Sequence, residues 1–258
     1  MAHGFAPFGA DDVAAIARST RGYLMDWDGC CAIENTLSPV AARFLKANHD
    51  CVAIVSNNST QTPQDFLEIL STAGIDMQAE QIILAGMEAI YTAGKYVGSQ
   101  VMVMGDPHMR GIAHNAGLQL TQEEADIIVL LRDTRFTYRR LERAVNSLRQ
   151  GARLIVANPD LTHPGRNGHV KPETGALLAA LKACIDPDAA EIEIIGKPGP
   201  HLFLKGCKAL GLSPSQVVML GDNPATDLAG AKALGMKAIL TSTDTPEIFE
   251  ILLRERSA

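Results

Sequence analysis

The sequence predicts an α/β fold built on a doubly wound parallel sheet, and three observations carry that prediction. Short apolar runs alternate with amphipathic segments bearing helix start and stop signals, the pattern of βαβ units. The run Cys51-Val52-Ala53-Ile54-Val55 is apolar throughout, as expected of a strand covered on both faces. Polar residues of chemical interest follow directly after such runs, at the sheet edge where open parallel sheets bind ligands.

Taken in order, 1–20 holds one weak helix, Asp11–Ala17. Tyr23–Asp26 reads as the first strand. Ser38-Pro39 opens a helix, with serine as N-cap and proline at the first helical position. After the Cys51–Val55 strand, Thr62-Pro63-Gln64-Asp65 opens the next helix, and Gly74 stands where a C′ glycine belongs. Residues 82–185 form a complete strand–helix series of their own. Strands are expected near Val101–Met104, Asp126–Leu130 and Arg153–Val156, and helices near His108–Ala116, Tyr138–Gln150 and Thr174–Ala183. The first pattern then returns: a strand at Ile192–Ile195, a helix from about Pro200, a strand at Val217–Leu220, a helix over about Thr226–Leu234 and a last strand at Ala238–Leu240. The expected organisation is therefore a core from 1–81 and 186–258, with an α/β domain inserted at 82–185.

Composition narrows the function classes. The 258 residues are 47% hydrophobic, ample for sizeable cores, and the net charge of −6 comes without any Lys/Arg run. No nucleic-acid partner is expected. No apolar stretch approaches the roughly 18 residues of a membrane span, and Met1-Ala2-His3-Gly4-Phe5 lacks a secretory n-region and h-region. The five cysteines are odd in number and lack zinc-ligand spacing, which suits reduced thiols in a cytoplasmic protein.

Four segments at strand ends carry the chemistry. Asp26-Trp27-Asp28 closes the first strand, and period-two alternation puts both carboxylates on one face. Like charges that close require a cation or a proton between them, which suits a hard divalent metal and acid–base work. Ser56-Asn57-Asn58-Ser59 offers a hydroxyl and several N–H groups beside a helix start, an anion-binding arrangement. Lys197, in Gly196-Lys197-Pro198, is a point charge on a stiff turn. Gly221-Asp222-Asn223 with Asp227 adds two more acids.

The four segments in this order resemble those of the haloacid dehalogenase (HAD) superfamily of phosphatases, and in particular its NagD-like or 4-nitrophenylphosphatase-like subfamily, in which a large α/β cap follows the second motif. The resemblance spans about residues 20–245 and includes the cap stretch Gly151-Ala152-Arg153-Leu154-Ile155-Val156-Ala157-Asn158-Pro159-Asp160. It implies that Asp26 is the nucleophile and Asp28 the general acid/base. Ser56 and the Asn57 main chain, with Asn58 beside them, would bind phosphate. Lys197 would offset charge between nucleophile and phosphoryl group. It further implies Mg²⁺ held by Asp26, the Asp28 carbonyl and Asp222, with Asp227 as the outer acid. Asn158 and Asp160 are expected to help select the substrate, a small-molecule phosphate ester. The candidates are nucleoside monophosphates, sugar or glycerol phosphates and pyridoxal phosphate. A homodimer through the cap is also expected.

Two departures from the family pattern stand out: Cys30, where threonine or valine is usual, and the bulky Trp27 between the acids. A phospho-accepting receiver domain is a rival reading, as is a silent phospholigand-binding protein. The inserted domain and the presence of Asp28 beside Asp26 weigh against the first, and the complete set of catalytic residue types against the second. Three further features have bland expectations. His163 and His169 flank a solvated hairpin around Pro164-Gly165-Arg166-Asn167-Gly168. Arg132, Arg135, Arg139, Arg140 and Arg143 form a solvated face. Cys30 is a small buried residue.

Overall fold

The structure is a computed structural model that describes residues 9–164, 169–186, 190–245 and 247–256. The loop 165–168 between the two histidines lies outside the described residues.

In chain order the elements are α1 (Ala10–Ser19), β1 (Gly22–Met25), the short strands β2 (Ala32–Ile33) and β3 (Thr36–Leu37), α2 (Pro39–Asn48), β4 (Val52–Ser56), α3 (Pro63–Thr72) and β5 (Ile82–Leu84). Then come α4 (Ala85–Ala93), β6 (Gln100–Met104), α5 (Pro107–Asn115), β7 (Gln119–Leu120), β8 (Ile127–Leu130), α6 (Tyr138–Arg149), β9 (Arg153–Val156), β10 (Thr162–Pro164), β11 (Val170–Pro172), α7 (Thr174–Lys182) and β12 (Ile192–Ile194). The chain closes with α8 (Pro200–Ala209), β13 (Val217–Gly221), a π-helical turn at Pro224–Leu228, α9 (Ala229–Ala233), β14 (Lys237–Leu240) and α10 (Glu247–Arg256).

The chain divides into two compact units. One comprises 1–56, 63–83 and 200–258, and the other 57–62 and 84–199. The first holds a five-stranded sheet in the order β14-β13-β1-β4-β5, in which β14, β13, β1 and β4 run parallel. β1, β4 and β13 are buried at every position, which explains their uninterrupted apolar sequences. Capping follows the sequence signals: the Ser38 hydroxyl accepts from the Ala41 N–H at 3.2 Å to start α2, and Gly74 has φ +69° after α3. Phe44 of α2 meets the Tyr23 ring edge-on at 5.1 Å and the Phe249 ring at 5.5 Å, fixing α2 and α10 over β1.

The second unit holds another five-stranded sheet, all parallel, in the order β12-β9-β8-β6-β7. Leu148 of α6 and Leu178 and Leu181 of α7 bury themselves against Met102, Ile128, Leu130, Leu154 and Val156 of this sheet. The strand at Ile192–Ile194 pairs with β9 here, whereas its position in the sequence had grouped it with the core. An Ile-Glu-Ile run carries no sign of which neighbour it will take, so only the pairing Ile192↔Leu154 decides its sheet. At the other junction, β5 completes the first sheet rather than opening the insert.

Candidate active site

In the first unit the chain leaves β1 towards β4 on one side, while β13 lies on the other. This is the switch in strand order where parallel sheets hold ligands. Register sets what appears there. Met25 lies opposite Leu220, so Asp26 emerges beside Gly221, and the Asp26 N–H donates to the Leu220 carbonyl at 2.9 Å. Asp222 follows the end of β13, and Asp227 sits one turn later in the π-helical segment, a local widening frequent at functional sites. One carboxylate oxygen from each of Asp26, Asp222 and Asp227 lies within 4.8 Å of the others. Asp26 and Asp227 are buried and Asp222 is half-buried. Three carboxylates this close, two of them out of water, repel one another unless a cation intervenes, and their hard oxygens fit Mg²⁺ or Ca²⁺. Asp28 contributes no carboxylate oxygen to this group; its expected metal contact is through the main chain.

Two glycines make the close approach feasible. Gly29 has φ +86°, and a Cβ there would stand 2.4 Å from Asp222 Oδ2. A Cβ on Gly221 would fall 2.3 Å from Asp227 Oδ2. Trp27 does not crowd the acids. It is fully buried, lies 4.7 Å from the Phe66 ring, and donates its indole N–H to Asn35 Oδ1 at 3.2 Å. That contact anchors the β2–β3 hairpin, whose turn residues Glu34 and Asn35 both have positive φ, as a primed turn requires. The hairpin had no sequence signal of the Asn-Gly kind.

Cys30 and Cys31 are also buried. Cys31 Sγ donates to the Asp26 carbonyl at 3.2 Å. Burial pushes both thiols well above the ordinary range, and nearby carboxylates, joined for Cys30 by the Cys31 thiol, push further in the same direction. Burial and the raised pKa values favour the neutral thiol over the thiolate at both positions.

Ser56 ends β4 and is buried. The loop after it belongs to the second unit. There the Asn58 carboxamide closes the loop on itself, accepting from the Thr60 and Gln61 N–H groups and donating to Gln61 Oε1. The Asn57 carboxamide is bound to Lys197 and Asp160. Its Oδ1 accepts from the Lys197 N–H at 2.8 Å, while Nδ2 donates to the Lys197 carbonyl at 3.2 Å and to Asp160 Oδ2 at 2.8 Å. Lys197 itself is 1% exposed.

Asn158 differs from its expected role. It is 1% exposed, and its Nδ2 donates to the Asn57 carbonyl at 2.7 Å while its Oδ1 accepts from the Asp160 N–H. A carboxamide buried and bonded in this way braces the loop and does not present itself to a substrate. The sequence carries no sign of this role because the partner, Asn57, lies about a hundred residues away in the chain.

Of the five arginines, Arg135 and Arg139 are exposed as expected, whereas Arg132, Arg140 and Arg143 are half-buried and paired. Arg140 pairs with the buried Asp133 and donates to the Val103 carbonyl, Arg132 pairs with Glu173, and Arg143 pairs with Glu123. His163 Nδ1 lies 2.8 Å from a Glu173 carboxylate oxygen, while His169 is exposed. Ser59, which the sequence placed in the anion-binding segment, and the fully buried Thr174 have hydroxyls 3.3 Å apart, a pairing with no signal in the sequence. The Arg132 N–H donates to Ser59 Oγ.

This fold and acidic group define a haloacid dehalogenase-like hydrolase, and comparison with known proteins places the chain in that family. Residues 23–119 match the family described as haloacid dehalogenase-like hydrolase, and residues 194–248 match a second HAD-hydrolase-like description. The chain belongs to this superfamily as a NagD-like phosphatase. It is 30% identical to the dihydroxyacetone phosphatase of Corynebacterium glutamicum (strain R), over 89% of this chain and 83% of that protein. Its structure is similar to 4-nitrophenylphosphatase from Thermotoga maritima, at 27% identity and a TM-score of 0.77 over 90% of each chain. It shares the fold of NagD from E. coli K-12, at 24% identity and a TM-score of 0.74 over 87% of this chain and 88% of that one. Among the described residues, no helix is long and apolar enough to cross a membrane.

Proposed function

We propose that this phosphatase is a Mg²⁺-dependent phosphomonoesterase that forms an aspartyl-phosphate on Asp26 and acts on small sugar-type phosphate esters. The carrying observation is the triad of carboxylates from Asp26, Asp222 and Asp227 within 4.8 Å at the switch in strand order. The substrate class rests on two relatives, the dihydroxyacetone phosphatase already described and the acid sugar phosphatase of Staphylococcus epidermidis at 30% identity.

In this reading Asp26, Asp222 and the Asp28 carbonyl hold the metal, and Asp227 orients that shell. When bound, the ion neutralises charge on the phosphoryl oxygens. An Asp26 carboxylate oxygen attacks phosphorus as the bond to the ester oxygen breaks, and Asp28 delivers a proton to the departing alkoxide. Asp28, now a carboxylate, takes a proton from water. The water oxygen attacks phosphorus, the bond to Asp26 breaks, and inorganic phosphate leaves. Ser56 and main-chain N–H groups of the following loop bind the phosphoryl oxygens, and Lys197 offsets their charge. The carboxamides of Asn57 and Asn58 are committed to protein partners, so their part in phosphate binding falls to the main chain. Asp160 is the acidic residue of this reading that helps select the leaving group.

The test is turnover of 4-nitrophenyl phosphate, dihydroxyacetone phosphate and glycerol phosphates, with and without EDTA, by the native protein and Asp26→Asn. Metal-dependent turnover that Asp26→Asn abolishes is expected. Metal-independent turnover, or an active Asp26→Asn, overturns the mechanism. Asp28→Asn should slow alkyl phosphates far more than the aryl ester; equal losses would refute the proton-donor role. A phosphoprotein that accumulates without turnover would favour a receiver-type switch.

A further inference from the structure

We infer that Asn57 is a positioning residue for Lys197, and that Asp160 sets the direction in which its carboxamide works. The inference rests on the proposed role of Lys197 at the phosphoryl group. A buried lysine places its ammonium at the end of a four-carbon stem, so where the charge sits depends on where its main chain is held. The Asn57 carboxamide holds that main chain at two points, accepting from its N–H and donating to its carbonyl.

A carboxamide can face either way, and three contacts select one orientation. The Lys197 N–H requires an acceptor opposite it. The Lys197 carbonyl and the Asp160 carboxylate both require a donor. The reverse orientation would set donor against donor at the N–H and oxygen against carboxylate at Asp160. Asp160 is itself fixed through the bond from its N–H to Asn158 Oδ1, and Asn158 also binds the Asn57 carbonyl. Gly196 leaves room for the clamp: a Cβ there would lie 2.6 Å from Asn57 Oδ1 and 2.5 Å from the Ala157 carbonyl. The Asn-Pro-Asp segment thus acts on Lys197 through Asn57.

The experiment is a mutant cycle on 4-nitrophenyl phosphate hydrolysis, with a thermal melt of each variant. Asn57→Ala should lower kcat by roughly 10–100-fold, the scale of a small misplacement of a charged group, with KM little changed. Combined with Lys197→Met it should add little to the loss from Lys197→Met alone, because residues acting as a unit are non-additive. Asn57→Asp sets a carboxylate oxygen against both Asp160 and the Lys197 carbonyl and should lose a comparable factor. Adding Asp160→Asn to it restores a donor opposite that oxygen, and should recover kcat by about tenfold, one hydrogen bond's worth. A near-native kcat for Asn57→Ala, multiplicative losses with Lys197→Met, or no recovery in the Asn57→Asp/Asp160→Asn pair overturns the clamp. If Asn57→Ala does not fold, the recovery arm decides alone. A native kcat in Lys197→Met would instead refute the role of Lys197.

Discussion

Replacing Gly29 by alanine tests the carboxylate site through a residue that carries no charge. Two costs can be worked out separately. The backbone cost arises from φ +86°, where an L-residue with a Cβ loses about 1–2 kcal/mol. At about 2–4 °C per kcal/mol, a melt should register it. The steric cost falls on Asp222. The new Cβ would lie 2.4 Å from Asp222 Oδ2 and 2.9 Å from Cγ, where ordinary contact begins at 3.4 Å. The carboxylate must therefore retreat by about 1 Å, several times the roughly 0.2 Å tolerance of a metal–ligand distance. Half-saturating Mg²⁺ should rise by about 10–100-fold, the scale seen when the support of a metal ligand is lost. Gly98→Ala is the control. Gly98 has φ +85° with nothing within 4 Å of its Cβ position, so it should show the backbone cost alone. The assay is initial rate against Mg²⁺ concentration, with a melt of each variant. A Mg²⁺ half-saturation in Gly29→Ala within twofold of wild type would refute the placement of Asp222 at the metal.

Three further outcomes are expected. Phe44→Ala removes a fully buried ring from between Tyr23 and Phe249 and should cost about 3–5 kcal/mol in urea unfolding; a loss below 1 kcal/mol would show that α2 and α10 do not depend on it. Burial raises the pKa of Asp133, so its contribution to stability is present below the ordinary carboxylate range and declines as pH rises through the raised value. Arg140→Met takes away the opposing cation, so the decline should steepen. The loss of unfolding free energy, about 3–5 kcal/mol at neutral pH, should exceed that at pH 4, and an equal loss at both would contradict the pairing. Among the thiols, exposed Cys184 should react first with a disulfide reagent, while Cys30 and Cys31 stay unmodified until unfolding; early labelling of either would contradict their burial.

Much of this was legible in the sequence because its carriers are local. All-apolar runs marked β1, β4 and β13, and Ser38-Pro39 marked the start of α2, since burial on both faces and capping each act within a few residues. Asp26 and Asp222 could be placed at one sheet edge because strand ends fix where the next residue emerges. What could not be read depended on partners distant in sequence. Nothing in Ile192–Ile194 names β9 as its neighbour. Nothing in Asn158 names Asn57, and nothing in Arg140 names Asp133. A carboxamide looks alike whether it faces substrate or braces a loop, and an arginine looks alike in water or against a buried acid. The hairpin at Glu34-Asn35 escaped notice because its positive φ values fall on residues other than glycine, held there by Trp27.

The position of β1 also bears on how the chain is made. β1 lies between β4 and β13, and Gly22 aligns with Val217. The two strands that flank it are therefore synthesised far apart in time. At roughly 5–20 residues per second, a ribosome needs about 10–40 s to travel from Met25 to Val217. For that interval β1 can join β4 on one side while its other edge stays open, and the residues of the second sheet, 100–194, emerge before that edge is closed. The nascent chain thus carries an exposed apolar strand edge until β13 appears, the period in which a chaperone would be of most use.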